Sequence, residues 1–345
     1  MLIRSLAVEN IRAHTSFRHI LSPNVTLVTG SNGSGKTTLL EAIAVALNGR
    51  SFKATDNELL RDGSEWWRID LGLDDTERVV KFQPSRPNRR KTFEIDDKIS
   101  ARLPASKHYP VVLFEPDDLR LIGGSPARRR RFIDKFATQI YPEYSRIIHR
   151  YERALLQRNK LLKTSSYPNE LFAWNISLSE YGAQIIDMRV RLIEQLNQGL
   201  NTTYNIIAQT NDEVSVHYSH TLIDQTQQKL LRALEQNYEK DKILGSTSVG
   251  PHRHDVLFYL NQRLAASTAS RGEVRTILLA LKFLEVDVVQ HLTGLAPIVL
   301  LDDVFSELDE NRQTQLTTRF KDYQIIMTSA STHARLDKAL VIDLK

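Results

Sequence analysis

Residues 30–37, Gly30-Ser31-Asn32-Gly33-Ser34-Gly35-Lys36-Thr37, fit the spacing GxxxxGK[ST], with a β-patterned run before them and a helical one after. A loop of this kind turns its backbone N–H groups, with the helix N-terminus behind it, onto phosphate oxygens. Lys36 then reaches the β- and γ-phosphates, and the Thr37 hydroxyl ligates Mg²⁺. An acidic pair, Asp302-Asp303, ends the apolar run "PIVLL". Such a pair is ordinarily a solvated turn after a buried strand. Beside a phosphate loop it has chemistry to do: Asp302 holds Mg²⁺, directly or through water, and Asp303 orients the attacking water. The following "SELD" (306–309) reads only as a weak helix start.

The stretch "STASRGEVRT" (267–276) has two readings. Ser270 and Glu273, three apart ahead of an apolar-periodic run, form a capping box, worth about 1 kcal/mol. That leaves unexplained Gly272, a poor helix former in a first turn, and the direct run of the helix into the carboxylate strand. A Ser-x-Gly turn presented to a γ-phosphate accounts for both, because glycine lets the backbone approach the anion. A capped N-terminus is also an anion site, so the readings are compatible. The functional one is favoured.

These groups must be held by an α/β framework. Strands are expected at 2–8 and 25–29 around a turn at 22–24, with a helix after the loop ending near Gly49. Alternation over 66–95 predicts antiparallel strands, and "YPVVLFEP" (109–116) a short apolar one. From Ser125 the period changes to three and four residues, interrupted at Pro142, with a second long helix over 168–209. A strand "EVSVHY" and a helix over 221–240 follow, and strand patterns return after Gly245. The expected organisation is a mainly helical insertion, 125–244, inside an α/β domain made of 1–124 and 245–345. No repeat, low-complexity tract or sustained heptad run is read.

The bulk numbers set limits. At 345 residues the chain is long enough for two domains. The formal charge of +5 permits a polyanionic partner without requiring one. The absence of cysteine excludes disulfides and thiolate ligation. The start "MLIRSLAVENIRAH" has no apolar signal core, and the most apolar window, 276–301, carries Lys282, Glu285 and Asp287. A soluble cytoplasmic protein without a membrane partner is expected.

With phosphate loop, Ser270 turn and Asp-Asp in this order, the chain resembles an ATP-binding-cassette (ABC) ATPase. "FEPDDLRLIGGSPARRRRFID" (114–134), "YERALLQRNKLL" (151–162), "SVGPHRHD" (248–255) and "LLDDVFSELD" (300–309) narrow this. So do 49–63 and 174–189. Together they are similar to the RecF family of bacterial recombination mediators, over nearly the whole length. The resemblance implies an ABC-type P-loop ATPase head, Rad50-like, with a helical lobe in place of a long coiled coil. It implies ATP and Mg²⁺ held by Gly30, Ser31, Asn32, Gly33, Ser34, Gly35, Lys36, Thr37 and Thr38 of one protomer, facing Ser270 and Gly272 of a second. The ATP-bound homodimer is then expected to clamp double-stranded DNA, act at gaps and single-strand/duplex junctions, and help load RecA with RecO and RecR. Hydrolysis is expected to be slow and DNA-stimulated, releasing the DNA. Three positions depart from the family pattern: Thr38 for a usual Asn, Glu273 for Gln and His254 for Asp.

For DNA contact the basic candidates are Arg86, Arg89, Arg90 and Lys91, between two strands, and Arg128 and Arg129 in the run Arg128–Arg131. The second cluster opens a helix, where positive charge opposes the macrodipole, so it must answer to something anionic or to carboxylates. Three other readings compete. In a transporter's nucleotide-binding subunit, loop and carboxylates would lie closer than the 265 residues from Thr37 to Asp302. A non-hydrolysing module would use ATP only to lock a conformation. A true Rad50-type ATPase is disfavoured by the lack of heptads and of a zinc-binding Cys pair.

Overall fold

Period-two alternation and continuous apolar runs sort the strands of this chain into different sheets. The computed structural model describes residues 1–164, 168–219, 226–305, 308–330 and 339–344. β1 (Ile3–Ile11) and β2 (His14–Ile20) form a hairpin, and β3 (Val25–Gly30) leads into α1 (Lys36–Asn48). A one-turn helix α2 (Asp56–Leu59) precedes β4 (Trp67–Leu73), β5 (Glu77–Phe82), β6 (Lys91–Ile95), β7 (Lys98–Ser100) and β8 (Val111–Phe114). Helices α3 (Pro126–Ile140), α4 (Tyr144–Thr164) and α5 (Phe172–Ala208) follow. Next come β9 (Val214–Tyr218), α6 (Thr226–Gln236), α7 (Tyr238–Leu244), β10 (Val256–Leu260) and β11 (Arg263–Leu264). After α8 (Ala265–Thr268) and α9 (Arg271–Thr293), the chain runs through β12 (Ile298–Asp302), α10 (Glu310–Arg319), β13 (Ile325–Ser329) and β14 (Leu340–Leu344).

The chain divides into two units, Met1–Asp118 with Glu285–Lys345, and Leu119–Leu284. In the first, a six-stranded antiparallel sheet, β2-β1-β4-β5-β6-β7, accompanies a five-stranded parallel sheet, β14-β3-β13-β12-β8. β8, β12 and β13 are buried along their whole length, as parallel strands covered on both faces must be. α1 touches β1, β4 and β5 of one sheet and β3, β12 and β13 of the other. It is therefore apolar nearly all round, with Leu39, Leu40, Ile43, Val45 and Leu47 at most 1% exposed. Each such side chain contributes roughly 1.5–3 kcal/mol, which offsets the modest propensity of Thr37, Thr38, Ile43 and Val45 for helix. The helix stops at Gly49, whose N–H bonds Val45 O at 2.9 Å with φ 78. Buried Gln324 joins the two sheets: its Oε1 accepts from Ile3 N–H (2.8 Å), and its amide donates to Ile3 O (2.7 Å) and Ser22 O (2.8 Å). Sequence reasoning passes over β2, because its exposed edge position leaves a mostly polar run.

The second unit extends past the expected border at 244. β10 and β11 complete a three-stranded sheet with β9, so the chain after Gly245 packs with the helices that precede it. The helix expected over 221–240 divides at Asn237 into α6 and α7; residues 220–225 lie outside the described ones. Two buried arginines organise this unit. Arg158, on α4, donates to Asn175 (2.7 Å), Asp241 (2.7 Å), Thr247 (2.8 Å) and Leu234 O (3.1 Å). Arg189, on α5, donates to both Asp134 oxygens, Tyr144, Tyr218 and Pro251 O. The segment "SVGPHRHD" threads between these arginines. Gly250 has φ +125, and a Cβ there would meet Tyr151 Oη at 2.5 Å.

Removing one partner of a fully buried pair strands the other charge, at about 3–5 kcal/mol. Asp241→Ala should therefore lower the unfolding free energy by that amount in urea titrations. His252 gives a pH signature. Its Nε2 bonds Thr247 O (3.0 Å) and its Nδ1 bonds Tyr151 Oη (2.6 Å), a pattern that suits the neutral ring. Burial pulls its pKa from 6.5 to about 4. Between those values the unfolded chain binds the extra proton, so stability falls as pH drops through this window and is flat above it. The excess stability of wild type over His252→Gln should shrink between pH 6.5 and 4.5.

Candidate functional site

In a parallel sheet the C-terminal ends of the strands share one edge, and here the order β3-β13-β12 puts three of them side by side. β3 ends at Gly30 and feeds the phosphate loop; β12 ends at Asp302; β13 lies between them with Thr328 in register with Asp302. The 265 residues separating Thr37 and Asp302 thus close to a single hydrogen bond, Thr37 Oγ1 to Asp302 Oδ1 at 2.7 Å. Thr328 Oγ1 donates to the same oxygen (3.0 Å) and accepts from Asp303 N–H (2.9 Å). Asp302 is 5% exposed, and Asp303 follows with φ 51, in the left-handed region.

The loop itself is built to receive an anion. α1 starts after Gly35 with no side-chain cap and no acidic residue in its first turn, which leaves its first N–H groups open to an anion. Gly35 is left-handed (φ 92), and a Cβ there would lie 2.4 Å from His14 Nε2. His14, at the start of β2, packs on the loop with Nε2 3.1 Å from Gly35 O. Burial lowers its pKa, keeping the ring neutral beside the phosphate path. Lys36 Nζ donates to Gly30 O (2.7 Å) and Ser31 O (2.9 Å), folding back along the loop. Ser34 Oγ is buried without a hydrogen-bond partner. Asn32 and Gly33 lie exposed at the tip, and Thr38 is buried behind it.

An orphaned hydroxyl, an uncapped helix and a poised lysine fit phosphate oxygens. Mg²⁺ is normally held by one or two protein oxygens together with phosphate and water, and the adjacent Thr37 and Asp302 fit that requirement. Sequence reasoning does not find Thr328, His14 or the acid behind the loop. Glu41, fully buried in α1, accepts from Arg12 Nη1 (2.6 Å) and Ser51 Oγ (2.7 Å). A lone carboxylate inside "TTLLEAIAVAL" is the one signal that points to this last contact.

The other expected residues are distributed as follows. Ser270 is exposed at the start of α9, and the capping box is formed: Ser270 N–H donates to Glu273 Oε2 (2.6 Å) and Glu273 N–H to Ser270 Oγ (3.3 Å). Gly272 lies in that first turn, and Ser306 and Glu307 fall outside the described residues. Arg86, Arg89 and Arg90 are exposed on the β5–β6 loop. Two basic candidates, Lys91 and Arg129, turn inward. Lys91 pairs with Asp56 (2.5 Å) and donates to Gly49 O (2.9 Å), closing the C-terminus of α1. Arg129, 8% exposed, forms a two-pronged pair with Asp255 (2.8 and 2.7 Å) and donates to Ile122 O and Gly124 O. A carboxylate, then, answers the basic run at the start of α3. Arg128 beside it is half-buried.

Comparison with known proteins agrees with this geometry. A family described as an AAA domain matches residues 5–244. The DNA replication and repair protein RecF of Clostridium perfringens (strain 13 / Type A) is 33% identical over 334 residues, covering 95% of this chain and 92% of its own. RecF of Streptococcus pyogenes serotype M49 is 33% identical over 353 residues, with 96% and 92% covered. Among solved structures, the recombination mediator protein RecF with ATP in the RecFOR pathway superposes with a TM-score of 0.87 at 27% identity, covering 99% of this chain and 95% of that one. An Smc head bound to the C-winged helix domain of ScpA shares the fold alone, with a TM-score of 0.57 at 15% identity over 100% and 95% of the chains. Two sheets around a phosphate-loop helix, an inserted, mainly helical unit and this degree of identity have one explanation: the chain belongs to the RecF family of DNA replication and repair proteins, built on the ABC-type ATPase head.

Proposed function

We propose that this chain is an ATP-dependent DNA-binding protein of recombinational repair and a slow, DNA-stimulated ATPase. The observation that carries the nucleotide part is the direct Thr37–Asp302 hydrogen bond beside the uncapped first turn of α1. Mg²⁺, when bound, would supply neutralisation of phosphate charge. Lys36 holds the phosphates as a compact charge, Thr37 and Asp302 hold the cation, and Asp303 orients the attacking water. The role of the RecF relatives in repair, and the ATP in the solved RecF structure, support this assignment.

The Ser270 turn completes the site from a second copy of the chain. A hydroxyl has one donor and two acceptor positions. In the capping box Ser270 Oγ acts as an acceptor, which leaves its proton for a γ-phosphate oxygen of the partner protomer. ATP thus joins two protomers into a clamp on duplex or gapped DNA, and hydrolysis opens it. The clamp helps load RecA with RecO and RecR. The exposed loop bearing Arg86, Arg89 and Arg90 is the strongest DNA-facing candidate, with half-buried Arg128 a secondary one. No helix among the described residues is long and apolar enough to cross a membrane. Membership of the RecF family, over 95% of the chain, disfavours the transporter reading.

Ser270→Ala should bind ATP normally yet fail to dimerise with it in sedimentation, and Ser270→Arg should do the same and lose DNA-stimulated turnover. If both variants still dimerise with ATP, Ser270 is only a helix cap, and the loss is confined to about 1 kcal/mol of stability.

For the DNA face, Arg89→Ala/Arg90→Ala should reduce ATP-dependent duplex affinity and flatten its salt dependence. Removing a basic group that neutralises one phosphate lowers the log–log slope by about 0.9. An unchanged slope excludes this loop from the interface.

A further inference from the structure

The strand between the phosphate loop and the acidic pair presents one side chain to both acidic residues, to the carboxylate of Asp302 and the backbone of Asp303. Thr328 is 1% exposed, in register with Asp302 on β13. Its hydroxyl donates to Asp302 Oδ1 at 3.0 Å and accepts the N–H of Asp303 at 2.9 Å. A single hydroxyl therefore uses its proton on one acidic residue and a lone pair on the next. Asp303 has φ 51, in the left-handed region that Asp adopts more readily than most non-glycine residues, and the bond from its N–H helps hold it there. Asp302 Oδ1 takes a second hydrogen bond from Thr37 (2.7 Å), but Thr37 is itself a candidate cation ligand. Once Thr37 turns to a cation, Thr328 is the remaining side-chain hydroxyl holding the Asp302 rotamer.

We propose that Thr328 is a positioning residue that sets the relative geometry of the metal-binding and water-orienting carboxylates, through Oγ1. The inference rests on the reading of Asp302 and Asp303 given above. Oδ2 of Asp302 is the oxygen that neither hydroxyl engages, and the bond from Thr328 to Oδ1 fixes the rotation of that carboxylate beside Thr37. The bond to Asp303 N–H fixes where that residue leaves the strand, and with it where its carboxylate begins.

The test compares Thr328→Val, which keeps the shape and removes the hydroxyl, with Thr328→Ser, which keeps the hydroxyl. Full-length protein is assayed for ATP affinity with and without Mg²⁺ and for DNA-stimulated kcat and KM. Thr328→Val should keep metal-free affinity within about twofold but lose about 10-fold of the Mg²⁺-dependent gain, the size of one hydrogen bond to a charged group. Its kcat should fall at least about 10-fold, with KM for ATP in the presence of Mg²⁺ rising in step with the lost affinity. Thr328→Ser should restore both to within about threefold. If the valine variant fails to fold, Thr328→Ala against Thr328→Ser makes the same comparison, since only the serine carries a hydroxyl. Wild-type metal dependence and kcat in the valine variant overturn the proposal, as does a serine variant no better than alanine. Wild-type protein showing neither Mg²⁺-dependent affinity nor turnover instead overturns the assignment of the two carboxylates.

Discussion

Everything at the site depends on an uncapped helix start held at the edge of a parallel sheet. α1 begins with bare N–H groups and a left-handed glycine, a local arrangement that is unfavourable without a ligand. It persists because the rest of α1 has no freedom to move. Sheets cover both sides, Gly49 and Lys91 close the C-terminal end, and Arg12 with Ser51 satisfies the one buried acid. The apolar burial of the helix body is several times larger than the cost of leaving its first turn open. Function is thus placed at the one end of the helix where packing leaves donors over.

The same logic, with opposite chemistry, runs through the unit from Leu119 to Leu284. There the surplus is positive charge: Arg129, Arg158 and Arg189 are all at most 8% exposed. A guanidinium has five donors in fixed directions, so burying it is tolerable only if helices and loops arrive at fixed positions to accept them. Asp134, Asp241, Asp255, Tyr144, Tyr218 and the carbonyls of Leu234 and Pro251 do so. Burial lifts the Tyr144 and Tyr218 phenols further above their usual range, so they act as neutral partners throughout the physiological range. The segment "SVGPHRHD" is thereby explained as the connector of these networks: nearly every residue from Thr247 to Asp255 donates to or accepts from a buried group.

Local chemistry makes much of this legible from sequence. The phosphate loop announces itself because glycine, lysine and threonine are each required at a fixed offset, and α1 runs as expected to Gly49. The apolar strand ending in two carboxylates and the break at Pro142 follow from equally local rules. What escapes has a common cause. Thr328 and Arg12 act through partners 26 and 29 residues away, and His14 reaches back to Gly35. A threonine in "IIMTS" or a histidine after a turn carries no period or spacing that marks it. The border of the second unit escapes for the same reason, since the β9–β10 pairing joins residues on either side of Gly245. Lys91 and Arg129 show the converse: a charge run in sequence does not say which of its members faces water.

The capping box resolves in a way that neither reading alone anticipates. Glu273 turns its carboxylate back onto Ser270 N–H at 2.6 Å, at a helix N-terminus where negative charge is favourable by roughly 0.3–1 kcal/mol. That contact satisfies an amide which a phosphate could otherwise use, and places a fixed negative charge beside the approach of any anion. A glutamine at this position would accept the same bond without the charge. In the proposed dimer the Ser270 hydroxyl would attract a γ-phosphate against the repulsion from Glu273. In the dimer proposed above, association through this face would depend on ionic strength in the sense opposite to DNA binding: added salt screens the Glu273–phosphate repulsion, while it would weaken contacts of Arg86, Arg89 and Arg90 with a polyanion. Under that proposal, nucleotide-driven pairing and DNA capture would respond to the same ions in opposite directions, which would separate the two steps physically.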